Sequence, residues 1–200
     1  MKLLSLLCLS LCFCSHAFAA WVLDENQSSL YFMSTKKDNV TEIHWFTEFS
    51  GNINDDGELS IQIPLASFET GIEIRNQRMK EKLFNVALFP VATLNASDIP
   101  CMNTKVNAEF GITTKVGATK YSEVIAELNL HGETKTLVLD VRCTLVDEIT
   151  LIANSTKPIL IKAADYKLDG GIEILRDLAG LPNISTTVPV TFNLIFKRQD

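Results

Sequence analysis

The chain is predicted to be mainly β: an eight-stranded antiparallel barrel with two short helices near its mouth. Three observations predict this. Apolar and polar residues alternate with period two along nearly the whole chain, the pattern of strands with one dry and one wet face. Several alternating runs approach about ten residues, against a usual strand length of about 5–6, and a sheet of such strands must close or cover its edges. Only two stretches depart from the alternation, and both read as short amphipathic helices.

The first residues, "MKLLSLLCLSLCFCSHAFAA", place Lys2 before an apolar run and end in the small residues Ala17 and Ala19. This is the pattern of a secretory leader, expected to be cut after Ala19 and to leave one domain over residues 20–200. The apolar run is too short for a membrane span, which needs about 20 residues. Leu11 before Cys12 and Phe13 before Cys14 do not suit a lipid-modified cysteine. A protein without a stable membrane anchor is therefore expected. Cleavage would leave Cys101 and Cys143 as the remaining cysteines, and an exported chain favours a disulfide between them. Two separate buried thiols are the plainer alternative.

The strands follow in order. Ile43, Trp45 and Phe49 alternate with Glu42, His44 and Glu48, so the apolar three are expected to face inward. The turn "NDDG" at 54–57 leads into Leu59, Ile61, Ile63 and Leu65, a hairpin signal. Met79 and Leu83, spaced i, i+4 among charges, predict a helix over 75–84. Further inward faces are expected at Val106–Ile112, Val124–Leu130 and Leu137–Leu145. A second helix is expected over 171–179, with Asp169 near its start and "GLP" at 180–182 as its stop. The last strand aligns Val188, Val190, Phe192, Leu194 and Phe196.

Charge and motifs narrow the function. The formal net charge of −6 disfavours a nucleic-acid surface. No zinc-protease, nucleophile-elbow, P-loop or dinucleotide motif is present. His44 and His131 fall on the polar phase of their strands and read as surface histidines, and no third or fourth metal ligand is evident. The acidic residues fall mostly on wet phases, and Cys101 and Cys143 lack redox-motif spacing. No catalytic residue, metal or resident cofactor is expected. Patterning alone leaves the interior either packed on itself or open to an apolar ligand.

The stretch "FETGIEIRNQRMKEKLFNVALFPVATLNASDI" resembles the signature region of the YceI-like family of lipocalin-like, polyisoprenoid-binding periplasmic proteins. Gly71, Arg75, Met79, Leu83, Phe84, Val86, Phe89, Pro90 and Ala92 stand at matching places. "LNLHGETKTLVLDV", with Gly132, Thr134 and Lys135, is similar to a second family turn, and the opening and closing strands also fit. Asn76 and Arg78 depart from the pattern, as does the longer segment "ADYKLDGGIEILRDLAGLP".

The resemblance implies a periplasmic, non-enzymatic binder or carrier of an isoprenoid, quinone-like or similar amphiphilic lipid. It implies an apolar tunnel and flap formed by Trp45, Met79, Leu83, Phe84, Phe89, Phe110, Leu128, Leu139 and Phe192. Arg75 and Arg78 become candidates for the lipid head group. The alternatives are an envelope stress or interaction protein with a solidly packed barrel, and an enzyme acting on a lipid-like substrate. A dimer is left open.

Overall fold

The structure, a computed structural model, describes residues 21–97, 99 and 116–199. The leader, the expected strand at 106–112, Cys101 and Phe110 lie outside the described residues.

Among the described residues, eight antiparallel staves close into a barrel. The first is β1 (Trp21–Leu23) with β2 (Ser29–Lys36), and the second is β3 (Val40–Phe46) with β4 (Ser50–Ile53). The third combines β5 (Leu59–Pro64) with β6 (Phe68–Glu69), and β7 (Val91–Ala96) is the fourth. Next come β8 (Thr119–Leu130) and β9 (Glu133–Asp147), then β10 (Thr150–Ser155) with β11 (Ile159–Lys162), and finally β12 (Thr187–Arg198). Closure comes from β12, which pairs with β10 and β11 on one side and with β1 and β2 on the other. The first stave survives the break between its halves because Asp24 N–H donates to the Ile195 carbonyl at 2.8 Å. The Ile195 N–H returns a bond to Ser28 Oγ at 2.9 Å.

The hairpins follow their turn chemistry. Asn54 Oδ1 accepts from the N–H groups of Asp56 and Glu58, and Gly57 takes φ +79°. Between β8 and β9, His131 and Gly132 both have positive φ, as the tightest right-twisting hairpin turn demands.

The expected inward faces of β5, β8, β9 and β12 are observed, and Cys143 is buried with them. The reading of β3 is corrected. Phe46, buried His44 and Glu42 point inward, while Ile43 and Trp45 stand on the outer face, 58% and 39% exposed. They pair there with Met33 and Tyr31. The stave is irregular at 47–49, where Thr47 and the Glu48 carbonyl bond to Ser67 instead of continuing the ladder. That break inverts the parity, so Phe49 faces inward although Trp45 does not.

Two helices cover one end. Helix α1 (Glu73–Arg78) runs into a wider turn over Met79–Leu83, with Phe84 N–H bonded to the Met79 carbonyl at 2.9 Å. Helix α2 (Asp169–Leu178) packs against that turn. The opposite end is filled by Trp21, Phe49, Ile53, Leu151 and Phe196.

Candidate lipid-binding cavity

The barrel is not filled throughout. Between its packed floor and the helical cover lies a cavity of about 530 Å³, within the size range of small-molecule sites. Its walls include Leu30 and Phe32 from β2, Ala92 and Leu94 from β7, Leu128 and Leu130 from β8, and Leu137 and Leu139 from β9. Val188, Val190 and Phe192 from β12 complete the opposite side. A narrower space of about 80 Å³ lies toward the floor, sharing Leu30, Ile63, Leu94, Leu139 and Phe192 with the larger one. The small Ala92 leaves room where a larger residue of the same parity would fill the barrel.

The cover is held by apolar burial. Met79 and Phe84 are buried and Leu83 is half-buried, and all three line the cavity. Phe84 leans on Phe68 with ring centroids 5.5 Å apart, and Lys80 Nζ sits 5.9 Å from the Phe68 ring. From α2, Ile172 and Leu175 reach the same space. Gly171 lets the helices touch: a Cβ there would stand 2.7 Å from the Lys82 carbonyl oxygen and 2.8 Å from Leu83 Cα.

Polar groups meet under α1. Ser34, Lys36, Glu42, His44 and Arg75 all line the cavity. Arg75 Nη1 donates to Glu42 Oε2 at 2.5 Å, Lys36 Nζ donates to the same oxygen, and Arg75 Nη2 donates to the Thr70 carbonyl at 2.5 Å. The hydrogen bond from Lys36, assisted by the Arg75 charge, holds the Glu42 carboxyl below its ordinary pKa against the opposing effect of burial. His44 is 2% exposed, with Nε2 3.0 Å from Ser34 Oγ and its ring 5.1 Å from that of Phe32. Burial, reinforced by the Arg75 charge, pushes its pKa down to about 4, so it is neutral at pH 7. Two buried atoms in this cluster, His44 Nδ1 and Arg75 Nε, have no hydrogen-bond partner among the described residues.

Asn76 organises the approach to α1. It is buried, accepting from Thr70 Oγ1 at 2.6 Å and Thr70 N–H at 3.1 Å while donating to Glu69 Oε1 at 2.8 Å. The Asn76 amide and the Gly71 and Thr70 N–H groups lower the Glu69 pKa. Gly71, at φ +75°, makes the turn possible.

Of the residues singled out from the sequence, Met79, Leu83, Phe84, Leu128, Leu139 and Phe192 come together around the cavity. Arg75 belongs to the polar cluster. Arg78 lines the rim, where Nη1 donates to the Leu178 carbonyl at 3.4 Å and ties α1 to the end of α2. Trp45 faces away from the cavity, for the reason of parity given above. Phe89 also lies outside it, packed on the His131 ring at 4.3 Å and over Gly132. Neither histidine is a simple surface residue. His44 is interior, and His131 Nδ1 lies 3.1 Å from the Tyr166 carbonyl. The assignment of acidic residues mostly to wet phases is likewise corrected at Glu42, which lines the cavity with Lys36, His44 and Arg75. One signal pointed to this cluster: Leu30, Phe32, Ser34 and Lys36 share a parity in β2, and Phe32 and Ser34 lie opposite His44 and Glu42 in β3. Among the described residues, no set of three His, Cys, Asp or Glu side chains could hold a metal ion, and no helix is long and apolar enough to cross a membrane.

Comparison with known proteins points one way. Residues 21–196 match the model of the YceI-like domain. A solved polyisoprenoid-binding domain from Saccharophagus degradans, implicated in plant cell wall breakdown, shares 39% identity at a TM-score of 0.81, over 91% of this chain and 99% of that one. BcnA of Burkholderia cenocepacia shares the fold at 19% identity and a TM-score of 0.65, over 86% of this chain and 98% of its own. The YceI protein of Campylobacter jejuni does so at 14% and 0.55, over 78% and 85%. No curated protein sequence matches the chain.

Proposed function

The chain belongs to the YceI-like family, and from that premise we propose that it binds a long isoprenoid or similar amphiphilic lipid inside the barrel, without catalysing a reaction on it. The observation that carries this reading is the cavity of about 530 Å³, walled almost wholly by apolar side chains and with its ionisable groups gathered at one end. Each methylene placed there contributes about 0.8 kcal/mol before the entropy of binding is subtracted. The 39%-identical polyisoprenoid-binding domain supports the ligand class. In the cluster under α1 the Glu42 carboxylate is already engaged by two cations, Lys36 and Arg75.

The leader pattern over residues 1–19 supports export to the periplasm, where a carrier of lipid between membranes would work. In that compartment Cys143, buried in the wall, is proposed to pair with Cys101.

Thermal unfolding of delipidated protein tests the binding. An isoprenoid-tailed ligand at about 100 times its Kd should stabilise the fold by about 2.7 kcal/mol. A midpoint indifferent to every isoprenoid at saturating concentration would contradict the reading.

A further inference from the structure

The polar cluster holds hydrogen-bond capacity that the protein leaves unused. His44 is almost wholly buried, yet among the described residues its Nδ1 has no partner, and Arg75 Nε is in the same state. Buried polar atoms are normally satisfied, so two in one cavity wall point to something absent from the protein itself.

What is unused is mainly donors. Where the Ser34 hydroxyl donates to His44 Nε2, the imidazole proton sits on Nδ1 and is unspent. Where His44 Nε2–H donates to Ser34, the hydroxyl proton is unspent instead. Either way the pair retains one hydrogen to give. Arg75 Nε–H supplies a second, because its two terminal nitrogens are occupied by Glu42 and Thr70. Lys36, with a bond to Glu42, keeps further N–H groups. The charges agree: Lys36 and Arg75 face one carboxylate, Glu42, and the neutral His44 adds nothing.

We propose that Ser34, His44 and Arg75 form a donor subsite that grips an acceptor oxygen, carbonyl or phosphate, on the head of the bound lipid. This rests on the lipid-binding reading above and adds the ligand's orientation. The head lies beneath α1 against Phe32 and His44, and the tail runs past Leu30 and Phe192 toward the floor. Glu42 is a positioning residue, holding Arg75 Nη1 while the Thr70 carbonyl holds Nη2, so that Nε is left over.

The test is calorimetric titration of delipidated protein with three probes sharing one farnesyl tail: farnesyl phosphate, a farnesyl-substituted benzoquinone and the hydrocarbon farnesene. His44→Phe keeps a ring without nitrogens. Arg75→Lys keeps the charge that Glu42 needs but lacks Nε. Ser34→Ala is the mildest change, should either of the others fail to fold. Each variant should weaken the oxygen-headed probes by about tenfold and farnesene by less than about twofold. A loss confined to the phosphate identifies an anionic head, and one confined to the quinone identifies a carbonyl. Equal weakening of all three probes, or of none, would overturn the subsite while leaving lipid binding intact. If no probe binds the unaltered protein, the lipid reading fails and the subsite fails with it.

Discussion

Arg75 Nη1 reaches Glu42 Oε2 at 2.5 Å, joining the helical cover to the barrel wall across 33 residues of sequence. The pair does two things at once. It fastens α1 over the cavity, and with Lys36 it places charge at one end of a largely apolar chamber. Its contribution is moderated by solvent, because the Glu42 side chain is about a third exposed at 36%.

The coupling between these residues is measurable. A double-mutant cycle of Arg75→Gln and Glu42→Gln should give an interaction of about 1–2 kcal/mol in denaturant melts, diminished by salt. Glu42→Gln alone should cost more than the coupling suggests, because it leaves Lys36 and Arg75 facing each other. An interaction indistinguishable from zero at low salt would show that α1 is held by apolar contacts alone.

Acid should weaken the fold through His44. Its pKa is depressed to about 4 from 6.5, so between those values the unfolded chain binds the proton and the folded one does not. Stability should therefore fall as pH drops from about 6.5 to about 4, by about 2–3 kcal/mol. Glu42, with its pKa lowered, adds a further loss as pH falls through its folded value. His44→Gln should flatten the curve between pH 6.5 and 4.5; an unchanged slope in that variant would assign the acid sensitivity elsewhere.

The cover should separate into two functions. Met79→Ser with Leu83→Ser removes the apolar burial that holds it, so bound lipid should leave faster in stopped-flow displacement while the far end of the barrel keeps its exchange protection. Uniform loss of protection around the barrel would mean that the cover and the core are one cooperative unit.

Two neighbouring glycines should respond in opposite senses. Gly171→Ala would gain helix propensity, but its Cβ meets the Lys82 carbonyl and the Leu83 backbone, so a net loss of about 1–2 kcal/mol is expected. Gly170 has nothing within 4 Å of the same position, and Gly170→Ala should be neutral or stabilising. Thermal melts of the two variants make the comparison; equal effects would contradict the close approach of α2 to the α1 turn.

Cys101 and Cys143 should show no free thiol in exported protein labelled under denaturing, non-reducing conditions. Two labelled thiols would refute the bridge.

The barrel was legible because period-two alternation persists through β5, β8, β9 and β12, where apolar residues face inward. β3 was misread for a physical reason. Its inward face carries Glu42 and His44, made tolerable by Lys36, Ser34 and Arg75, and its outward face carries Ile43 and Trp45. Hydrophobicity alone assigns such a strand backwards, and the irregular step at 47–49 hides the error by restoring the usual parity at Phe49. Asn76 looked like a mere departure from a family pattern. Its role in pinning Thr70 and Glu69 depends on a turn geometry that residue types do not reveal.

Native mass spectrometry of protein purified gently from the envelope fraction decides whether the cavity holds a lipid. A mass excess that organic extraction removes is expected, with an isoprenoid recovered in about equimolar amount. A protein purified at its bare polypeptide mass, with no extractable lipid and no mass shift on incubation with membrane lipids, would contradict it.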